Sequence, residues 1–251
     1  MKNIYSFTNL LEKSGCIHLV TTKNKNYDYN FSLALHTNEN PKSILKNRRS
    51  IQQQFPNMQF IVANQTHSDH ISIITHTTSR GWDNIDTIIN SSDALITNQK
   101  GVMLTILTAD CVPILLFDPK QKVVSAIHSG WKGTKQQITL KVVKKMQKEF
   151  NSNPVDIIAG VAPSIGKCCY EVDWGVAQYF QEYNNAFDKI GEKYMLDLPY
   201  INKSQLLKAG LQEKNIELSN ICTACEVDKY FSYRKENGCS GRFMSMIGMP
   251  L

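Results

Sequence analysis

No uninterrupted apolar run here reaches the roughly 20 residues that a membrane-spanning helix needs. The longest stretch, Val102 to Phe117, is broken by Asp110. With 13 Gly and 8 Pro in 251 residues, the composition of a fibrous or linker-like protein is also missing. The start, Met1-Lys2-Asn3-Ile4-Tyr5 running into Glu12 and Lys13, has neither the apolar segment nor the small-residue cleavage site of a secretory signal. Cysteine occurs an odd 7 times in a chain far longer than disulfide-stapled modules, so reduced thiols are expected rather than a bridged framework. Together these absences predict a cytoplasmic protein with no membrane contact.

What is present suffices for a core: 42% of the residues are hydrophobic, which excludes disorder as the main state. Lys+Arg number 28 against 22 Asp+Glu, a formal net charge of +6. These basic residues are scattered. The densest group, Lys141, Lys144, Lys145 and Lys148, recurs at helical spacing, as a solvated helix face does, so no nucleic-acid surface is expected.

Along the chain, Cys16 to Thr22 reads as a strand, and Tyr27 to His36 as a further one. Asn40-Pro41 opens a helix, since Asn caps and Pro suits the first helical position; Ile44, Arg48, Ile51 and Phe55 share a face. Strands are predicted at Gln59 to Ala63 and Ile71 to Ile74, with the polar Asn64 to His70 between them. A dense β region follows at Ala94 to Thr97, Val102 to Leu107, Val112 to Phe117 and Val123 to Ile127. After Gly130-Trp131-Lys132-Gly133-Thr134, the residues Ile138, Val142, Met146 and Phe150 repeat as one helix face. A strand at Val155 to Val161, helices at Trp174 to Glu182 and Ile201 to Ala209, and strands near Leu218 to Thr223 and Arg242 to Met249 complete the reading. Strands outnumber helices without strict βαβ alternation, which predicts an α+β domain over residues 1–251, its mixed sheets packed sandwich-like and flanked by helices.

Three residues at strand ends or in the loops beside them bear the chemistry: His67, Cys111 and His128. On residue type alone they read either as a buried thiol with two hydrogen-bonded imidazoles, or as three zinc ligands that leave a fourth tetrahedral position open. Asp110, an acid inside an apolar run, needs a partner. It would orient a histidine, accept a substrate proton or bond to a turn. His70, three residues past His67, reads as solvated. Cys222 and Cys225 form a CxxC that serves as a redox pair, as half of a structural zinc site with Cys168 and Cys169, or as packing thiols; packing is the expectation taken.

The ordered blocks Asn64-Gln65-Thr66-His67, Ser92-Asp93-Ala94-Leu95-Ile96-Thr97, Leu107-Thr108-Ala109-Asp110-Cys111-Val112-Pro113-Ile114, Ala126-Ile127-His128-Ser129-Gly130-Trp131-Lys132-Gly133, Gly160-Val161-Ala162-Pro163-Ser164-Ile165-Gly166 with Cys168-Cys169-Tyr170-Glu171-Val172, and Phe231-Ser232-Tyr233-Arg234 with Ser240-Gly241-Arg242 resemble the YfiH-like family. Members were first described as multicopper polyphenol oxidoreductase laccases. The resemblance implies a fold like that of the catalytic domain of cytotoxic necrotizing factor. It further implies a zinc-dependent purine nucleoside phosphorylase that also deaminates adenosine and would accept methylthioadenosine, with His67, Cys111 and His128 holding the metal. Phosphate and purine nucleosides are then the partners, and the protein would be a monomer or homodimer.

An Asn-Arg pair in that family falls on Asn47-Arg48, so Arg48, Arg234 and Arg242 are the candidate phosphate forks. The chain departs from the pattern at Thr22-Lys23, where no glycines follow, and at Ser32, where the family has Asn. Two other chemistries use the same residues. Cys111 with His128 as its base would make a thiol hydrolase or deamidase. Two His, one Cys and an axial ligand such as Met would make a blue-copper centre, but multicopper oxidases use many histidines, commonly in His-x-His pairs, and 6 histidines with no such pair do not supply them.

Overall fold

The computed structural model describes residues 4–12, 15–238 and 241–251. Met1 to Asn3 and Lys13, read above for a signal segment, and Ser240 of the C-terminal block lie outside the described residues. The strands in chain order are β1 (Ile4–Tyr5), β2 (Ile17–Thr21), β3 (Gln59–Val62), β4 (Ile71–Ile73), β5 (Ala94–Thr97), β6 (Val102–Thr108) and β7 (Val112–Asp118). They continue as β8 (Val123–Ser129), β9 (Ile158–Val161), β10 (Glu171–Val172), β11 (Phe187–Ile190), β12 (Lys193–Leu196), β13 (Ile216–Leu218) and β14 (Phe243–Met249). The helices are α1 (Thr8–Leu11), α2 (Pro41–Gln52), α3 (Trp131–Lys135), α4 (Ile138–Phe150), α5 (Trp174–Ala177) and α6 (Leu198–Lys208).

Two mixed sheets form the centre, one in the order β1-β2-β14-β6-β3 and the other β13-β9-β7-β8-β5-β4. Strand alternation explains how each sheet buries both faces. In β6, Leu104 and Ile106 point into the layer between the sheets, whereas Met103 and Leu107 point to the outer face, where Ile51 of α2 and Trp82 cover them. In β7, Leu115 and Phe117 meet β6 and β14 residues between the sheets, while Ile114 and Leu116 pack beneath α4 and α6. The chain is thus α+β, with helices on both outer faces of a sheet sandwich. A small third sheet, β10-β12-β11, lies to one side.

Asn40 caps α2 by accepting from the Lys42 N–H at 3.0 Å, with Pro41 next, as the sequence predicts. Tyr27 to His36 is not a strand. Tyr29, Asn30 and Phe31 all take positive φ, and the segment coils so that Asn47 can donate to the carbonyl of Ser32 at 3.0 Å. The predicted strand near Leu218 to Thr223 ends at Leu218, and Trp174 to Glu182 keeps only a short helix followed by a tighter turn. Among the described residues, no helix is long and apolar enough to cross a membrane.

Candidate active site and metal centre

β7 and β8 run antiparallel with Val112 opposite Ser129 and Pro113 opposite His128. Cys111, one residue before β7, therefore lies at the same end of the sheet as His128. Ala109 to Cys111 crosses from β6 of one sheet to β7 of the other, and this crossing delivers the thiol to the gap between them. His67 arrives from the β3–β4 loop. Gln65 fixes that loop by donating to the Leu107 carbonyl and accepting from its N–H, both at 2.8 Å.

The three side chains converge. Their ligand atoms lie within 4.8 Å of one another, Cys111 Sγ is 3.8 Å from His67 Nε2, and the two imidazole rings meet edge to face at 4.8 Å. Gly130 makes this approach possible: a Cβ there would sit 2.9 Å from Cys111 Sγ and 3.1 Å from His67 Cδ2. Two positive-φ residues, His67 at 59° and Asp110 at 91°, adjoin the site, and backbone strain of this kind collects at functional positions.

Sequence reasoning gave Asp93 no role, yet it organises the centre. Its Oδ1 accepts from His128 Nδ1 at 2.7 Å and from the His67 N–H at 3.0 Å. Its Oδ2 accepts from the Ser68 N–H and hydroxyl, each at 2.7 Å. Burial works against the Asp93 charge, but the His128 and Ser68 donors hold its carboxyl well below the ordinary carboxylate range. The hydrogen on Nδ1 leaves His128 Nε2 as the atom for a ligand, the arrangement that orients metal-binding imidazoles. Burial likewise opposes ionisation of Cys111 and His128; each favours the charged form of the other, so the thiol is drawn down and the imidazole, also held by Asp93, is drawn up. The signal available in sequence was an acid immediately before the buried strand β5.

His67, Cys111 and His128 open on a cavity of about 820 Å³ whose wall includes Trp131, Tyr170 and Tyr233. Arg234 and Arg242 also line it; the first lies over the Tyr170 ring at 5.2 Å and the second over Tyr233 at 5.7 Å. Ser32, the departure noted above, accepts from the Arg242 N–H at 3.2 Å, and so supports that arginine from behind. Asp110 also borders the cavity, but its carboxylate accepts from the Thr223 hydroxyl and the Arg234 N–H, both at 2.7 Å. It ties the C-terminal loop to the cavity and touches neither imidazole of the metal set.

Arg48 is not brought to this cavity. It is 1% exposed, and its guanidinium donates to the carbonyls of Leu33, Gly81 and Trp82 at 2.6 to 2.9 Å. His70 stays apart as well, bonding the Ser91 carbonyl.

The donor set fits a borderline-soft ion such as zinc, with two imidazole nitrogens and one thiolate. A blue-copper site adds an axial ligand. No methionine among the described residues lines the cavity, and Gln65, another axial donor type, is bonded both ways to Leu107.

The family model described as multi-copper polyphenol oxidoreductase laccase matches residues 18–250. The chain belongs to this YfiH-like family. It is 34% identical over 223 residues to the purine nucleoside phosphorylase YlmD of Bacillus subtilis (strain 168), covering 86% of this chain and 80% of that one. It is 33% identical over 195 residues to the adenosine deaminase RL5 of an unknown prokaryotic organism, 74% of each chain. The crystal structure of YlmD from Geobacillus stearothermophilus superimposes with a TM-score of 0.91 at 29% identity, covering 98% of this chain and 94% of that one. Membership places the chain among enzymes.

Proposed function

We propose that this chain is a zinc-dependent purine nucleoside phosphorylase that also deaminates adenosine and takes methylthioadenosine among its nucleosides. The observation that carries the reading is the convergence of His67, Cys111 and His128 on a cavity that Arg234 and Arg242 also line. The names of its relatives support the same chemistry, and the unbridged cysteines among the described residues suit the reducing cytoplasm as its compartment.

Phosphorolysis requires an anion to attack the ribose anomeric carbon while the purine leaves, so one pocket must hold phosphate, sugar and base together. Arg234 and Arg242 supply cationic forks for the phosphate and for charge that develops as the bond breaks. Tyr170, Tyr233 and Trp131 add aromatic surface to the lining against which a purine would pack. Asp93 holds the Nδ1 hydrogen of His128 and keeps Nε2 turned toward Cys111 and His67. Zinc held by the three ligands supplies Lewis acidity beside the cavity.

One observation favours a second reading. Asp93, His128 and Cys111 stand in the order of orienting acid, base and nucleophile, with the thiol drawn toward ionisation, as in a thiol hydrolase. Assays of the zinc-loaded protein with adenosine, inosine and methylthioadenosine, with and without phosphate, before and after chelation, separate the two. The zinc reading expects phosphate-dependent base release and ammonia release that vanish on chelation and return with zinc. Full activity in metal-free protein, lost when Cys111 is alkylated, would establish the thiol hydrolase instead.

A further inference from the structure

We propose that Cys168, Cys169, Cys222 and Cys225 form a second metal centre, a mononuclear tetrathiolate site of the kind zinc fills, which staples together two loops of the cavity wall. Their four sulfurs lie within 4.8 Å of one another; Cys225 Sγ is 3.4 Å from that of Cys169 and 3.6 Å from that of Cys168. Sulfurs at the corners of a zinc tetrahedron, each about 2.3 Å from the ion, stand about 3.8 Å apart. A disulfide needs about 2.05 Å. An iron–sulfur cluster places several irons and sulfides between its cysteines and spreads them further than a single ion does.

Packing does not account for the arrangement. Cys168 and Cys225 are exposed and Cys169 and Cys222 only half-buried, whereas unligated structural thiols are among the most buried side chains. None of the four borders the cavity described above; Cys168 and Cys222 face a separate one of about 390 Å³.

The backbone is shaped to gather the four thiols. The Gly166 carbonyl accepts from the N–H groups of Cys169 and Tyr170 at 3.0 and 3.1 Å, closing a turn from which the sulfurs of both Cys168 and Cys169 reach Cys225 Sγ. The Glu226 N–H donates to the Cys222 carbonyl at 2.9 Å, a helical turn that sets Cys222 and Cys225 on one side. Gly166 also directs its N–H at Cys222 Sγ from 3.3 Å, the kind of donor that supports metal-bound thiolate. A Cβ on Gly166 would stand 3.2 Å from Cys222 Cβ and 3.5 Å from Cys168 Sγ, so glycine keeps the cradle open.

The consequence reaches the active site. Cys169 and Cys225, 56 residues apart in sequence, flank the segments that deliver Tyr170 and Arg234 to the cavity. A closure over that separation removes loop entropy, adding to the hydrogen bonds between Ser164 and the Ile221–Thr223 strip and to the one from Arg234 to the Glu171 carbonyl.

Tag-free protein examined by elemental analysis and zinc X-ray absorption tests this. Wild type should hold about two zinc ions per chain, and Cys111→Ser about one, surrounded by four sulfurs at about 2.3 Å. The double variant Cys168→Ser/Cys225→Ser should lose that all-sulfur signature; if it does not fold, the Cys111→Ser spectrum still decides. Zinc absent from Cys111→Ser, nitrogen or oxygen neighbours in its spectrum, or iron with inorganic sulfide would overturn the proposal. Failure of the cavity zinc alone would look different, as wild type with an all-sulfur spectrum and no second ion.

Discussion

His128 donates its Nδ1 hydrogen to Asp93 across 2.7 Å, with both side chains buried. The same carboxylate receives the main-chain N–H groups of Thr66, His67 and Ser68, so one side chain indexes the β3–β4 loop against β8. Two of the three candidate ligands therefore share a single anchor.

Asp93→Asn should weaken zinc binding by about 10- to 100-fold, since the amide cannot accept from every donor that the carboxylate serves. Chelator competition measures this, with circular dichroism to show that the fold persists. Unchanged affinity would remove Asp93 from the site.

Acid stability should carry the same signature. The native Asp93 carboxyl is held well below the ordinary value of 3.8, so as pH falls the unfolded chain takes up this proton first. Its contribution is present above the ordinary value and lost as pH drops toward the native one. In metal-free protein, urea midpoints should fall less steeply between about pH 5 and pH 3 for Asp93→Asn than for wild type. Parallel curves would refute the coupling.

Cys111 and Cys16 should differ in reactivity once metal is removed. Burial pushes the Cys16 thiol up to about 12, whereas the imidazoles beside Cys111 draw its thiol below the ordinary range. Iodoacetamide at neutral pH should then label Cys111 at least about tenfold faster than Cys16, because thiolate is the reacting form. Zinc should protect Cys111. Equal labelling, read by peptide mass, would contradict the arrangement.

The legible part of this molecule was local. Asn40-Pro41 announced α2 because a cap and a rigid φ act within one turn, and β6, β7 and β8 announced themselves through apolar runs buried on both faces. His67, Cys111 and His128 stood out as reactive types at strand ends or in the loops beside them. Asp93 did not, because its bond to His128 spans 35 residues and arises only when β5 pairs with β8. The β10-β12-β11 sheet escaped notice since β11 is largely exposed and shows no alternation. Tyr27 to His36 looked like a strand because its aromatics alternate with polar residues; α2 instead claims its carbonyls through Asn47 and Arg48.

Gly130→Ala should damage the centre without unfolding the protein. The added methyl would meet Cys111 Sγ at 2.9 Å, and that thiol or His67 must then move. Zinc affinity and kcat/KM should both fall by at least about tenfold, as when ligand orientation is lost. Thermal unfolding of the metal-free variant should stay close to wild type. Wild-type zinc binding would mean that the ligands meet elsewhere.

The three arginines should separate into two classes. Arg48 is buried, with burial pulling its guanidinium down to about 10, and all its observed donors go to main-chain carbonyls. Arg48→Leu strips charged donors from buried acceptors and should cost about 3 kcal/mol or more of stability. Its residual folded enzyme should keep the wild-type phosphate KM. Arg234→Lys and Arg242→Lys replace a planar fork with a point charge in the cavity lining, so they should raise the phosphate KM at least several-fold while leaving zinc content and melting temperature near wild type. Phosphate titrations of base release, run beside thermal melts, check all three. A raised phosphate KM in the Arg48 variant, with both lysine variants unaffected, would move the anion site to α2 and away from the metal ligands.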